Sequence, residues 1–235
     1  MSVVRLALVS TMSIQSIATA STVTLSAIAP LVAAAIGMPS SFIGTYVCFI
    51  YIGAAFAAVA GGTMVTRYGG IHVSQGCLIL AAIGLMLSAV ANFWCICLGG
   101  LLLGLSYGPI TPASSDILAH TVPKERMGFV FSLKQTAVPL GSALAGFIVP
   151  SVALWANNWQ AGPHVMAIFA LSVALLVLYH RSSLDDHFDP RSRFSIHTVL
   201  NALRLVTSQA GLRRMCIVSF VYNGTQMCVF SYLVS

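Results

Sequence analysis

Long stretches of this chain carry no ionisable acid or base at all: there is no Asp, Glu, Lys or Arg over residues 6–66, 68–115, 135–180 or 215–235. A bilayer core about 30 Å thick takes about 20 apolar residues per helical crossing, and lipid offers no hydrogen bond to a bare backbone amide. The blanks are roughly two, two, two and one crossing lengths, which predicts an all-α integral membrane protein with seven transmembrane helices. Composition agrees, with 58% hydrophobic and only 7% charged residues, where a soluble domain carries about a quarter charged. A net charge of +6 raises the question of nucleic acid. The eleven Lys and Arg, however, are scattered through short inter-helix segments and form no basic face, so the expected environment is lipid and no nucleic-acid partner is expected.

The apolar runs place the helices at 8–36, 42–66, 73–92, 95–119, 127–150, 163–180 and 214–235. Arg5, Arg67, Lys124, Arg126, Arg181, Arg191, Arg193, Arg204, Arg213 and Arg214 then share one side, and the opposite turns at 37–41, 91–94 and 151–162 carry no basic residue. The positive-inside rule puts that basic side, with the amino terminus, in the cytoplasm. Trp94, Trp155 and Trp159 fall in or beside the outer turns, as interfacial aromatics do. The expected location is a bacterial inner (plasma) membrane, crossed many times. Ala18-Thr19-Ala20 before Ser21 resembles a signal-peptide cleavage site, but the apolar run continues from Ala27 to Ile36 and cleavage would leave a remnant too short to span. The six cysteines all fall in expected spans, where they act as small hydrophobes, and no metal or cofactor is expected.

Apolar side chains gain nothing by choosing each other over lipid, so helices approach closely through small residues. The second helix has Gly53, Ala54, Ala55, Ala57, Ala58, Ala60, Gly61 and Gly62; the fifth has Gly141, Ser142, Ala143, Ala145 and Gly146. Helices two and five therefore read as equivalent positions in two inverted three-helix units.

After helix two comes Gly62-Thr63-Met64-Val65-Thr66-Arg67-Tyr68-Gly69. It resembles the loop of the major facilitator superfamily, Gly-X-X-X-Asp-Arg-X-Gly followed by basic residues, at the same place between helices two and three. Gly62, Arg67 and Gly69 match; Thr66 stands where that family has Asp, and Gly70 and Ile71 where it has basic residues. Helix four, Gly100 to Gly108, is similar to the family's Arg-X-X-X-Gly-X-X-X-Gly helix with Gly100 replacing the Arg, which puts simple proton antiport in doubt. The resemblance implies a secondary active transporter in which Gly62, Arg67, Gly69 and Asp116 form a conformational latch. It also implies that helices one, four and seven line a central cavity. Members have twelve helices. The resemblance therefore implies a six-helix bundle at 1–180, a cytoplasmic linker with a short amphipathic helix at 181–213 and a seventh helix at 214–235. It further implies a carboxy-terminal half, missing here and expected for activity.

Polar residues inside the spans are the candidate substrate contacts. Gln15, Thr19 and Thr22 share one face of helix one, Tyr107 and Thr111 one face of helix four, and Asn223 and Gln226 lie in helix seven. Interhelical hydrogen bonding is the competing reading of these groups. Lys134, about seven residues into helix five beside Gln135, is the single basic residue off the cytoplasmic rim. A Lys at mid-helix costs about 2.5 to 3.5 kcal/mol on insertion scales. Binding of an anionic solute, pairing with Asp116 and snorkelling to the headgroups are the three readings open to it. The function expected is movement of a small organic solute by alternating access, without enzymatic chemistry. A seven-helix receptor is the alternative, at odds with an amino terminus inside.

Overall fold

The computed structural model describes residues 3–179 and 204–233, with backbone alone at 223, 224 and 226–233. The chain divides into two compact units, Met1–Arg193 and Phe194–Ser235, and the described elements of both are helices. The first unit holds α1 (Val3–Ala27), α2 (Ala29–Ile36), α3 (Phe42–Tyr68), α4 (Gly70–Ser88) and α5 (Phe93–Tyr107). It continues with α6 (Ile110–Thr121), α7 (Lys124–Gln135), α8 (Ala137–Trp155) and α9 (Ala161–Leu178). In the second, a helical stretch over 204–208 precedes α10 (Ala210–Leu233). The amphipathic helix expected in the linker lies outside the described residues.

Six helices among the described residues are long and apolar enough to cross a membrane, α5 with α6 and α7 with α8 each forming one crossing. They coincide in order with the first six expected runs. At the place of the seventh, α10 is 24 residues long and covers a bilayer core by length at about 1.5 Å per residue, though it is not one of the six.

Crossings one, four and five, expected as single helices, are each broken. α1 stops at Ile28, whose φ of −124° and ψ of 24° leave the helix just before Pro30. α5 ends at Tyr107 before Pro109, and α7 ends at Gln135 before Pro139. The physical cause is common: a proline has no N–H for the carbonyl four residues back and its ring crowds that carbonyl. The turns between crossings use ordinary caps. Asn92 Oδ1 accepts from the Trp94 and Cys95 amides at 2.9 and 3.3 Å to start α5. Gly69 ends α3 at φ 88° and ψ 151°, a region open essentially to glycine alone.

The tightest pairings are α3 with α5, α4 with α5, α1 with α8, α4 with α9 and α1 with α9. Exchange crossings one and four, two and five, three and six, and this set maps onto itself: two-on-four becomes five-on-one, and three-on-four becomes six-on-one. That is the contact pattern of two inverted three-helix repeats. Glycines make equivalent crossings equivalently. A Cβ on Gly53 would meet the Leu101 carbonyl in α5, and one on Gly141 would meet the Ser16 carbonyl in α1.

Side-chain size is distributed as lipid demands. The interior is rich in small residues, among them Ala7, Ala18, Ala20, Ala81, Ala113, Ala137, Ala145 and Ala170, while Phe56, Phe147, Leu175 and Leu176 face outward. Small residues let backbones approach, and large ones lose nothing against acyl chains. Buried hydroxyls mostly donate to their own helix: Thr11 to Ala7, Ser21 to Ile17, Thr24 to Ala20 and Ser74 to Gly70. Side-chain amides tie separate parts of the bundle, with Gln75 Nε2 donating to the Ala174 carbonyl at 3.3 Å and Gln160 Nε2 to the Ala89 carbonyl at 2.8 Å.

Candidate functional site

α1 runs through the middle of the first unit and packs against α4, α5, α6, α7, α8 and α9, so its polar face meets protein on several sides. Gln15 is 1% exposed. Its Nε2 donates to the Tyr107 hydroxyl of α5 at 3.4 Å, and its Oε1 is buried without a partner. Two of the candidates are thus brought together across the contact between crossings one and four. Tyr51 of α3, which sequence reasoning missed, comes within electrostatic reach of Tyr107.

The neighbouring Ser16 faces the other way. Its hydroxyl donates to the Ala137 carbonyl at 3.0 Å, the first residue of α8, and thereby joins α1 to the break in crossing five. Lys134 lies three residues before Ala137, about 4.5 Å along the helix axis, in the last turn of α7. It is 1% exposed. Among the described residues its ammonium makes neither an ion pair nor a hydrogen bond. The proline-induced break places it near the end of α7, where the negative end of the helix dipole supports a cation.

The remaining candidates separate from this core. Thr19, 5% exposed, donates its hydroxyl to the Gln15 carbonyl at 2.9 Å, and Thr22 donates to the Thr19 carbonyl at 2.8 Å. Both protons are spent within α1; only the lone pairs remain for a ligand. Gln135 and Thr111 are exposed. The side chains of Asn223 and Gln226 lie outside the described residues.

Asp116 does not meet Lys134 or Arg67. Its carboxylate lies 3.6 Å from Nδ1 of His120, one turn along the same helix, with both side chains nearly half exposed. The Arg67 guanidinium sits over the Tyr68 ring, 5.1 Å from its centroid. The expected Arg67–Asp116 contact is therefore not made in this conformation, and Nδ1 of His120 lies nearer the Asp116 backbone carbonyl, at 2.9 Å, than its carboxylate. Within the latch motif, backbone conformation demands glycine at Gly69, whereas a Cβ on Gly62 would meet nothing within 4 Å. Among the described residues, no three His, Cys, Asp or Glu side chains cluster to hold a metal ion.

Gln15 and Tyr107 thus meet where α1 crosses α5, and Lys134 lies in the last turn of α7, one turn before the α1–α8 contact made by Ser16. The family model described as Major Facilitator Superfamily matches residues 11–235 of the chain. No curated protein matches it.

Proposed function

The chain belongs to the Major Facilitator Superfamily, a family of membrane transporters and not of enzymes, and on that premise we propose that it moves a small organic anion by alternating access, with Lys134 as the anion-binding group. One observation carries the reading: a 1% exposed lysine whose ammonium has no counter-charge among the described residues. A cation in that position is stable only with a partner or water. A solute anion supplies the partner while bound, and water supplies it when the site opens. Gln15 and Tyr107 orient the solute beside it. The basic ends of the crossings, at Arg5, Arg67, Lys124 and Arg126, face the cytoplasm in this reading. Stabilisation of the purified chain in lipid nanodiscs by a small carboxylate is the expected result, with neutral analogues without effect; stabilisation by a neutral solute in preference to every acid tested overturns the anion assignment.

Gly62, Arg67, Gly69 and Asp116 form the latch of the opposite access state, in which Asp116 leaves His120 for Arg67. Asp116→Asn is then expected to alter stability by less than about 1 kcal/mol, since the pair seen here is exposed, while changing the ratio of inward-open to outward-open protein. Accessibility labelling of single cysteines at the two mouths measures that ratio. An unchanged ratio removes Asp116 from the latch.

A further inference from the structure

The half-helices α6 and α7 are each 12 residues long and are joined through Val122 and Pro123 at the end of the bundle that carries Lys124 and Arg126. They are held very differently. α6 buries Ile110, Ala113, Ser114, Ile117 and Leu118, and glycines of its neighbours draw it in. A Cβ on Gly61 of α3 would meet Pro109 and Pro112, and one on Gly70 of α4 would meet Ile117 and the Ala113 carbonyl. In α7 only Val130 and Lys134 are buried. Beyond Thr136 the chain is fixed again. α8 buries Ala137, Gly141, Ala145, Val149 and Ala153 at every fourth position, with Gly141 against the Ser16 carbonyl and the Ser16 hydroxyl bonded to the Ala137 carbonyl.

The joint between α7 and α8 has the construction of a hinge. The Thr136 amide donates to the Leu133 carbonyl at 3.1 Å, three residues back instead of four, and the Thr136 hydroxyl donates to the same carbonyl at 2.7 Å. Pro139 has no N–H to offer the Gln135 carbonyl. A tightened turn beside a carbonyl without its helical donor is where a helix axis changes direction most easily. Lys134 supplies the bias. It rides in the last turn of α7, and while α7 is docked its ammonium is buried without an ion pair or hydrogen bond among the described residues, which disfavours the docked position. Val130, with Met127 and Phe131 partly buried, is the apolar contact that opposes it. We infer that α7 swings as a unit about Thr136 while α6 and α8 stay packed on α1, and that the charge of Lys134 biases it outward, where water reaches the ammonium. The motion is a property of the chain itself and does not depend on what Lys134 binds.

Amide hydrogen exchange of the purified chain in lipid nanodiscs tests this, with α6 as the internal reference because it has the same length and lies at the same end of the bundle. The amides of α7 are expected to exchange at least about tenfold faster than those of α6 and α8. Lys134→Met, similar in length and uncharged, should slow α7 by about tenfold or more and leave α6 and α8 within about twofold of the parent. Lys134→Gln replaces it should the methionine variant not melt cooperatively. Pro139→Ala, at an exposed position, returns a donor to the Gln135 carbonyl and should also slow α7 alone. Equal exchange of α6 and α7 in the parent overturns the independent motion. Unchanged or faster exchange of α7 in both Lys134 variants overturns the role of the charge, and unchanged exchange in Pro139→Ala overturns the hinge at Thr136.

Discussion

Gly104→Val is expected to prevent the first six crossings from assembling. A Cβ at Gly104 would run into the Ile50 carbonyl and come within 2.8 Å of the Ala54 amide nitrogen. Both are backbone atoms of α3, which cannot rotate away as a side chain could. Gly53 meets α5 from the other side, its Cβ position 3.2 Å from the Gly104 Cα, and Gly108 continues the contact one turn on against the Ala54 carbonyl at 2.6 Å. The two helices would have to separate along their whole crossing. Overpacking of a core costs about 1–3 kcal/mol, occasionally more, and a separation that also uncovers Tyr107 and Gln15 belongs at or beyond the top of that range. Little monodisperse protein should be recovered in mild detergent from Gly104→Val, and Gly104→Ala should melt well below the parent. Gly44→Ala and Gly62→Ala are the controls, since a Cβ at either meets nothing within 4 Å; they should melt as the parent does. Normal recovery and melting of Gly104→Val would show that α3 and α5 do not cross this closely.

The α3 side of this crossing was legible in sequence as a run of small residues and its α5 side through the resemblance of Gly100 to Gly108 to the family's helix four, and the charge-free blanks located the six apolar crossings because desolvation of charge acts on each residue wherever it packs. What escaped was decided by partners. Pro30 and Pro109 stand in the sequence, but a proline in a span bends, breaks or is tolerated according to which neighbouring helix receives the freed carbonyl, and no periodicity contains that neighbour. Helical spacing put Gln15, Thr19 and Thr22 on one face, yet it could not tell that the two threonine hydroxyls bond to α1 itself while Gln15 reaches Tyr107. Asp116 drew attention as a partner for Arg67 through family resemblance. His120, four residues on, was present in the same sequence and is the partner found here, for the plain reason that an i, i+4 contact needs no second helix to move.

Lys134→Gln is expected to make the empty protein more stable and to abolish solute binding. The two effects have one cause. In the absence of solute the ammonium is buried with no ion pair or hydrogen bond among the described residues, a state disfavoured by up to about 2.5–3.5 kcal/mol on insertion scales. Glutamine of similar length relieves that penalty, and melting in nanodiscs without solute should rise. The same change removes the charge that a carboxylate needs, and truncating one partner of a buried charge pair costs about 2–5 kcal/mol, a loss of roughly 30-fold or more in affinity. Stabilisation of the variant by solute should fall to background at solute concentrations that saturate the parent. The sign of the stability change separates the three readings of this residue. A lysine serving as structural glue, through a counter-charge held elsewhere in the chain, would leave an orphaned carboxylate when replaced, and the variant would melt lower. A lysine reaching the headgroups would alter neither melting nor solute binding beyond small amounts. Only a site that waits for an anion combines a higher melting temperature when empty with lost binding, and lower melting of Lys134→Gln would remove Lys134 from the transport cycle.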